Sequence, residues 1–205
     1  MLSGLTIQEF LLKTASHSPV PGGGSVAALS ASLAASLTEM VANLTINKKG
    51  YEGFEQEMKT IAKEAHQFGK KFAQDIDKDA NAYNEVMSAY HLPKDTQEEK
   101  KIRQEAIQDG LMQAASIPLD VAKNAAKLMV FAGKAVEQGN KNAITDGAVA
   151  AMMAKTAALS ALYNVKINLN SITDEIFVEE VSKQIKDLEV DVVNKEKEIL
   201  SLVDL

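Results

Sequence analysis

Three consecutive glycines open a long apolar stretch, in the run Pro21-Gly22-Gly23-Gly24-Ser25. Because glycine has no Cβ, this turn can adopt backbone angles closed to other residues and bring its N–H groups close to a ligand. Free N–H groups at a helix start, together with the helix dipole, favour anions and polarised oxygens. Ser25 is a candidate N-cap of the helix that follows. The run therefore predicts either a binding loop or an ordinary tight turn, and no Gly-Lys-Ser/Thr follows it as in a Walker phosphate loop.

An aspartate interrupts an apolar helical stripe farther along the chain. The stripe runs through Phe72, Ile76, Asp79, Tyr83, Val86 and Tyr90. A carboxylate at a buried position is costly unless it is paired, hydrogen-bonded or used. We therefore predict that Asp79 is catalytic and that Tyr83, one turn on, contacts it or lines the same cavity. The alternative is a local bend in the helix that lets Asp79 reach water.

Two basic residues are candidates for holding an anionic part of a ligand. Arg103 is the only arginine among 22 basic residues. An arginine kept where lysine is so strongly favoured suggests a site that needs a planar fork, such as one for a carboxylate. Lys94 follows Pro93 and is the second candidate. The alternative for both is an ordinary solvated side chain on the surface.

Amides and a carboxylate lie at the two ends of a later Ala-rich helix. Asn140 and Asp146 lie near its start, where the helix dipole favours Asp146 even without a ligand. Asn164 and Asn168 lie near its end. At about 1.5 Å rise per residue, Asp146 and Asn164 are about 27 Å apart. If all four bind one ligand, either the ligand is long or two subunits share it.

Composition excludes several classes of function. The chain has 205 residues, no cysteine and a formal net charge of -6. The absence of cysteine excludes disulfides, thiol nucleophiles and cysteine-bound zinc, and the three histidines lack the spacing of a metal pair. Nucleic-acid-binding proteins usually carry a basic surface, so the negative net charge argues against that function. With no secretory signal visible, we expect one soluble, cytoplasmic domain over residues 1–205 that binds neither metal, nucleic acid nor membrane.

The apolar periodicity predicts an all-α bundle of long, mostly antiparallel helices with Ala-rich central helices. The strand-like run at 165–169 does not change this interpretation, because an Ala-rich helix precedes it and a capped helix follows it. A Thr6 capping box begins a short first helix, and Thr173 or Asp174 caps the last one. The expected helices between these two cover about residues 25–47, 54–90, 96–138 with a break or kink at Pro118, and 143–166.

These motifs, taken together and in this order, resemble one family, that of formiminotetrahydrofolate cyclodeaminase and methenyltetrahydrofolate cyclohydrolase. The resemblance extends from about residue 5 to 180. It rests on Pro21-Gly22-Gly23-Gly24-Ser25, Asp79-Ala80-Asn81-Ala82-Tyr83, Leu92-Pro93-Lys94, Arg103, Ile117-Pro118-Leu119, Gly139-Asn140, Thr145-Asp146 and Asn164-Val165-Lys166-Ile167-Asn168. Their shared order along the chain is much more specific than the glycine run alone.

The resemblance implies a homodimeric helical enzyme that acts on the one-carbon unit of a tetrahydrofolate derivative, with no other cofactor. We expect hydrolysis of 5,10-methenyltetrahydrofolate to 10-formyltetrahydrofolate. The alternatives are the cyclodeaminase reaction, which releases ammonia from 5-formiminotetrahydrofolate, and a non-catalytic folate-binding or helical assembly protein. The positions it implies are Asp79, Tyr83 and Asp146 for catalysis and Pro21, Gly22, Gly23, Gly24, Ser25, Lys94, Arg103, Asn140, Asn164 and Asn168 for substrate binding.

Overall fold

A computed structural model describes residues 1–204 of the chain. Its six α-helices are α1 (Ile7–Thr14), α2 (Gly23–Asn43), α3 (Glu55–Tyr90), α4 (Gln97–Gln138), α5 (Ile144–Leu169) and α6 (Glu175–Ser201). Short 3-10 helices at Leu2–Gly4, Glu52–Phe54 and Lys141–Ala143 precede α1, α3 and α5. No strand occurs in residues 1–204, which confirms the all-α prediction.

Three of the six α-helices, α1, α4 and α6, begin at a local side-chain cap. Thr6 and Thr96 each form a complete capping box with the glutamate three residues on, and Asp174 caps α6 by accepting from the N–H of Phe177. The prediction that Ser25 caps α2 is wrong. The N-cap is Gly22, which has no side chain to satisfy the first N–H groups, and Ser25 lies inside the first turn. The start of α2 therefore depends on groups from elsewhere in the fold.

The predicted break or kink at Pro118 is not a break, because α4 is continuous over 42 residues with Pro118 inside it. A proline inside a helix removes the N–H that would bond the carbonyl four residues earlier, here that of Ala114. The side-chain amide of Asn168, on α5, donates to this carbonyl at 3.1 Å. Because the freed acceptor finds this donor on another helix, α4 stays helical through the proline.

The two Ala-rich helices, α2 and α5, lie at the centre of the bundle and pack against each other and against α4. Their buried alanines, which leave the backbones room to approach, include Ala28, Ala31, Ala34, Ala151, Ala154 and Ala158. At one end, the backbone N–H of Asn140, before α5, donates to the Thr45 hydroxyl, after α2, at 2.8 Å. The start of one helix therefore lies beside the end of the other, and the pair is antiparallel.

Two segments, Gly23–Asn43 and Lys141–Leu169, are long and apolar enough to cross a membrane by length and composition alone. Half of each apolar window is buried inside the bundle. Core helices of a helical bundle have the same composition, so we assign both segments to the core.

Candidate active site

A cavity of about 400 Å³ opens at the end of the bundle where α2 begins and α5 ends. It brings together seven residues singled out from the sequence: Gly22, Gly23, Gly24, Asp79, Tyr83, Asn164 and Asn168. The remaining lining residues are Pro19, Val20, Val86, Met87, Tyr90, Ala114 and Ile167. Four separate segments thus meet around one concave, largely apolar space, which is the usual form of a small-molecule site.

The glycine run makes room for side chains from neighbouring helices. A Cβ on Gly24 would lie 1.9 Å from Oδ1 of Asp79, which no real pair of atoms tolerates. A Cβ on Gly23 would lie 3.1 Å from the amide atoms of Asn164. Neither glycine has a positive φ in the structure, since Gly50 alone does among the glycines of residues 1–204. The need for glycine here is therefore steric and comes from Asp79 and Asn164.

Asp79 lies beside the first turn of α2, where its carboxylate takes the place of the cap that Gly22 lacks. The hydroxyl of Ser25 lies 2.9 Å from Asp79 Oδ2. Burial raises the pKa of the Asp79 carboxyl above its ordinary value, and the hydroxyl and backbone N–H of Ser25 partly oppose this rise by bonding the ionised form. A carboxyl with a raised pKa in a cavity is a typical proton-transfer group.

Tyr83 lines the same cavity, as predicted, but the hydroxyl that reaches Asp79 is that of Ser25. Ser25 is itself fully buried and is absent from the cavity wall, so a substrate contact of this side chain is not supported. Pro21 is also buried and lies behind the wall, next to the cis peptide bond between Val20 and Pro21.

Two asparagines on α5, Asn164 and Asn168, line the cavity with their side-chain amides. The amide nitrogen of Asn164 donates to the Ser160 carbonyl at 2.9 Å. That of Asn168 donates to the Ala114 and Asn164 carbonyls, at 3.1 and 2.9 Å. Since an amide nitrogen carries only two hydrogens, both of those on Asn168 are used within the fold. The oxygens of the two side chains remain as acceptors for N–H groups of a ligand.

The two basic candidates do not line the cavity. The Nε and Nη2 atoms of Arg103 donate to the Tyr90 carbonyl at 3.2 and 3.1 Å, and the guanidinium stacks 5.6 Å from the centre of the Tyr90 ring. The fork that we expected to hold a ligand carboxylate therefore binds the carbonyl of Tyr90, the last residue of α3. Lys94 is exposed in the loop between α3 and α4. Arg103 can influence the cavity through Tyr90, which is part of its wall.

Asn140 and Asp146 lie at the opposite end of α5 from the cavity. Asn140 is 7% exposed, and its side chain donates to the Leu44 carbonyl and accepts from the N–H of Asn142. These contacts give Asn140 a structural role in joining α2 to α5. Asp146 lies in the first turn of α5 and is partly exposed. One chain therefore does not bring Asp146 to Asp79, and a shared site would need a second subunit.

Some cavity residues were missed because they carry no distinctive chemistry. Val86 and Tyr90 belong to the stripe that revealed Asp79, so the helical spacing alone places them on the same face. Ala114 and Ile167 give no such signal. No group of three His, Asp or Glu side chains suited to a metal ion occurs within residues 1–204.

The family model and the relatives found for this chain point to the same family. The family model described as formiminotransferase-cyclodeaminase matches residues 6–187. A methenyltetrahydrofolate cyclohydrolase of Methylorubrum extorquens is 37% identical over 92% of this chain and 90% of its own length. The formimidoyltransferase-cyclodeaminase of Sus scrofa is 35% identical, and this chain spans 34% of its length.

A solved structure, that of formiminotetrahydrofolate cyclodeaminase from Thermotoga maritima, has the same fold. It superposes with a TM-score of 0.88 at 32% sequence identity and covers 99% of this chain and 98% of its own. The match of the family model over most of the chain and the full-length likeness to two separate relatives agree with the order of motifs read from the sequence. The chain belongs to the formiminotransferase-cyclodeaminase family.

Proposed function

We propose that the chain is a folate one-carbon enzyme that hydrolyses 5,10-methenyltetrahydrofolate to 10-formyltetrahydrofolate. The observation that carries this proposal is the charge of the cavity. Among its described lining residues, Asp79 is the one charged side chain, and Tyr83 and Tyr90 are the other ionisable groups. A lone carboxylate in an apolar cavity favours a cationic ligand, and the methenyl bridge between two folate nitrogens is a cationic amidine.

The arrangement suits the proton transfers of this reaction. Water attacks the methenyl carbon, and Asp79 takes the proton that the water loses. The bond from this carbon to N5 then breaks, N5 receives a proton, and the formyl group remains on N10. The overall reaction consumes one water and releases one proton, and it requires no metal or second cofactor. The raised pKa of Asp79 brings it nearer to neutral pH, where such a group is most effective.

The amide oxygens of Asn164 and Asn168 support the choice of a folate. The pyrimidine part of a pterin carries N–H donors along one edge, and both asparagines offer an acceptor oxygen. Both amide hydrogens of Asn168 and one of Asn164 are already bonded within the fold. The aromatic rings of Tyr83 and Tyr90 provide flat apolar surface for a ring system. We therefore propose that the pterin lies between the two asparagines and the two tyrosines.

The formiminotetrahydrofolate cyclodeaminase reaction is the second candidate, and the full-length structural likeness to the Thermotoga maritima protein favours it. In that reaction N10 attacks the formimino carbon and ammonia leaves. The same carboxylate would serve both reactions, because both centre on a cationic amidine carbon. We prefer the hydrolase because the cyclohydrolase relative is 37% identical to this chain, against 32% for the Thermotoga maritima cyclodeaminase.

Purified protein offered each folate in turn distinguishes the candidates. We expect the methenyl absorbance of 5,10-methenyltetrahydrofolate to fall faster than in buffer. A rise of that absorbance with 5-formiminotetrahydrofolate, and ammonia release, would instead establish the cyclodeaminase. If neither folate turns over while dialysis shows binding, the chain is a non-catalytic folate-binding protein.

We further propose that the enzyme is a cytoplasmic homodimer formed through exposed apolar faces of α2 and α5. Val26, Leu33 and Met40 recur every seven residues on one face of α2 and are each at least 36% exposed. Tyr163 and Ile167, on α5, are 71% and 65% exposed. The two helices pack against each other, and we take their exposed apolar side chains together as the proposed dimer surface. Ile167 also lines the cavity, so a second copy on this surface would adjoin the site.

Replacing Leu33 with Asp is expected to weaken dimerisation by roughly 100-fold, since a charge placed in an apolar interface loses its water. Sedimentation equilibrium measures the change, with circular dichroism to show that the helices persist. Val190→Asp is the matched control, because Val190 is 63% exposed on α6, outside the proposed surface. A wild-type chain that sediments as a monomer at micromolar concentration would contradict the dimer.

A further inference from the structure

The hydroxyl of Ser25 lies within hydrogen-bond distance of two oxygen atoms but has only one hydrogen to donate. Its Oγ lies 3.0 Å from the Ile76 carbonyl oxygen and 2.9 Å from Asp79 Oδ2, and the residue is 0% exposed. A serine hydroxyl has one hydrogen and two lone pairs. With no access to water, the direction of its hydrogen bond must depend on the protonation of Asp79.

Two arrangements fit the observed distances. When Asp79 is ionised, Ser25 donates its hydrogen to Oδ2, and the Ile76 carbonyl keeps only its helical N–H partner. When Oδ2 is protonated, Asp79 donates to the Ser25 oxygen, and Ser25 turns its own hydrogen to the Ile76 carbonyl. In both arrangements every buried hydrogen has an acceptor, so neither protonation state leaves an unpaired polar group.

We propose that Ser25 is a positioning residue that reverses its hydrogen bond as Asp79 gains or loses a proton, using the Ile76 carbonyl as the alternative acceptor. The proposal rests on the proton-transfer role given to Asp79 under the proposed function. It replaces the predicted substrate contact of Ser25 with a role behind the cavity wall. It also explains why the residue after the three glycines is a buried serine.

The surroundings of Asp79 leave Ser25 as the principal partner that controls its titration. On its own helix the nearest ionisable group in the cavity is Tyr83, and Tyr90 lies farther along the wall. The α2 residues beside Asp79 are Gly24 and Ser25. The cavity also contains Ala114 from α4 and the two asparagines, Asn164 and Asn168, from α5, and none of these side chains ionises. The lysines nearest in sequence, Lys71 and Lys78, bond the buried carboxylate of Asp75 instead. Removal of the Ser25 hydroxyl is therefore expected to change the titration of Asp79 directly.

The test measures Asp79 itself rather than turnover. Protein labelled with ¹³C at aspartate carboxyls is titrated by NMR, and the Asp79 signal is assigned as the one missing in Asp79→Asn. In Ser25→Ala we expect this signal to titrate about one pH unit higher, because the ionised carboxylate loses a hydrogen-bond donor. Ser25→Cys, which retains a weaker donor, is expected to lie between the two.

Ser32→Ala is the matched control, since Ser32 is on the same helix and its buried Oγ has no hydrogen-bond partner within residues 1–204. It should leave the Asp79 titration unchanged. If the Asp79 signal in Ser25→Ala, or in Ser25→Cys should the alanine variant not fold, titrates as in the wild type, the proposal is wrong. Because this measurement needs no substrate, its result is independent of which folate reaction the enzyme catalyses.

Discussion

Turnover is expected to fall by roughly 100-fold or more when Asp79 is replaced by Asn, with the helical fold intact. The amide has the shape of the carboxyl group and can still accept a hydrogen bond from Ser25, but it neither takes a proton nor balances a cation. Since the pKa of Asp79 is raised by burial, wild-type activity should decline as the pH falls through a value above that of an ordinary aspartate. Asp79→Asn should lack that decline.

Steady-state rates with the preferred folate, measured across the pH range, test this expectation. Asp77→Asn is the control, because it makes the same chemical change on the same helix. The carboxylate of Asp77 bonds the backbone N–H of Leu2 and the Ser3 hydroxyl, and Asp77 does not line the cavity. A folded Asp79→Asn protein with turnover within about threefold of wild type would leave Asp79 with only its role at the start of α2, since general acid–base groups contribute far more.

The second large effect is expected for Gly24→Ala. The new Cβ would lie 1.9 Å from Oδ1 and 2.5 Å from Cγ of Asp79, so the carboxylate must leave its position. We expect a loss of turnover comparable to that of Asp79→Asn and a decrease in stability of about 1–3 kcal/mol, as for other overpacked sites. Gly23→Ala should have a smaller effect, because its Cβ would meet the Asn164 amide at 3.1 Å and a small shift suffices.

Kinetics and thermal unfolding of these variants measure both effects, with Gly53→Ala as a control because nothing lies within 4 Å of a Cβ there. A double-mutant cycle then identifies the cause. If the clash is with the carboxylate, Asp79→Ala should restore most of the stability lost in Gly24→Ala, although not the activity. Equal destabilisation by Gly24→Ala with and without Asp79 would show that the glycine serves the backbone instead.

The helices and several of their ends could be predicted because their causes lie within a few residues. Thr6, Thr96 and Asp174 cap helices by bonding N–H groups three residues on, and apolar periodicity alone indicates the 36-residue α3. The unusual position of Asp79 was visible for the same reason, as a charged residue in a regular stripe. The family resemblance also depended only on the order of motifs along the chain.

Only the tertiary structure decided which of these polar residues meet. Ser25 bonds Asp79, 54 residues away, and Asn168 bonds the carbonyl freed by Pro118, a pairing between helices that no local pattern contains. For the same reason Arg103 binds the end of α3 rather than the cavity, and Asn140 joins two helices. Local spacing determines which face of a helix a side chain occupies, but the packing of whole helices determines what lies opposite that face.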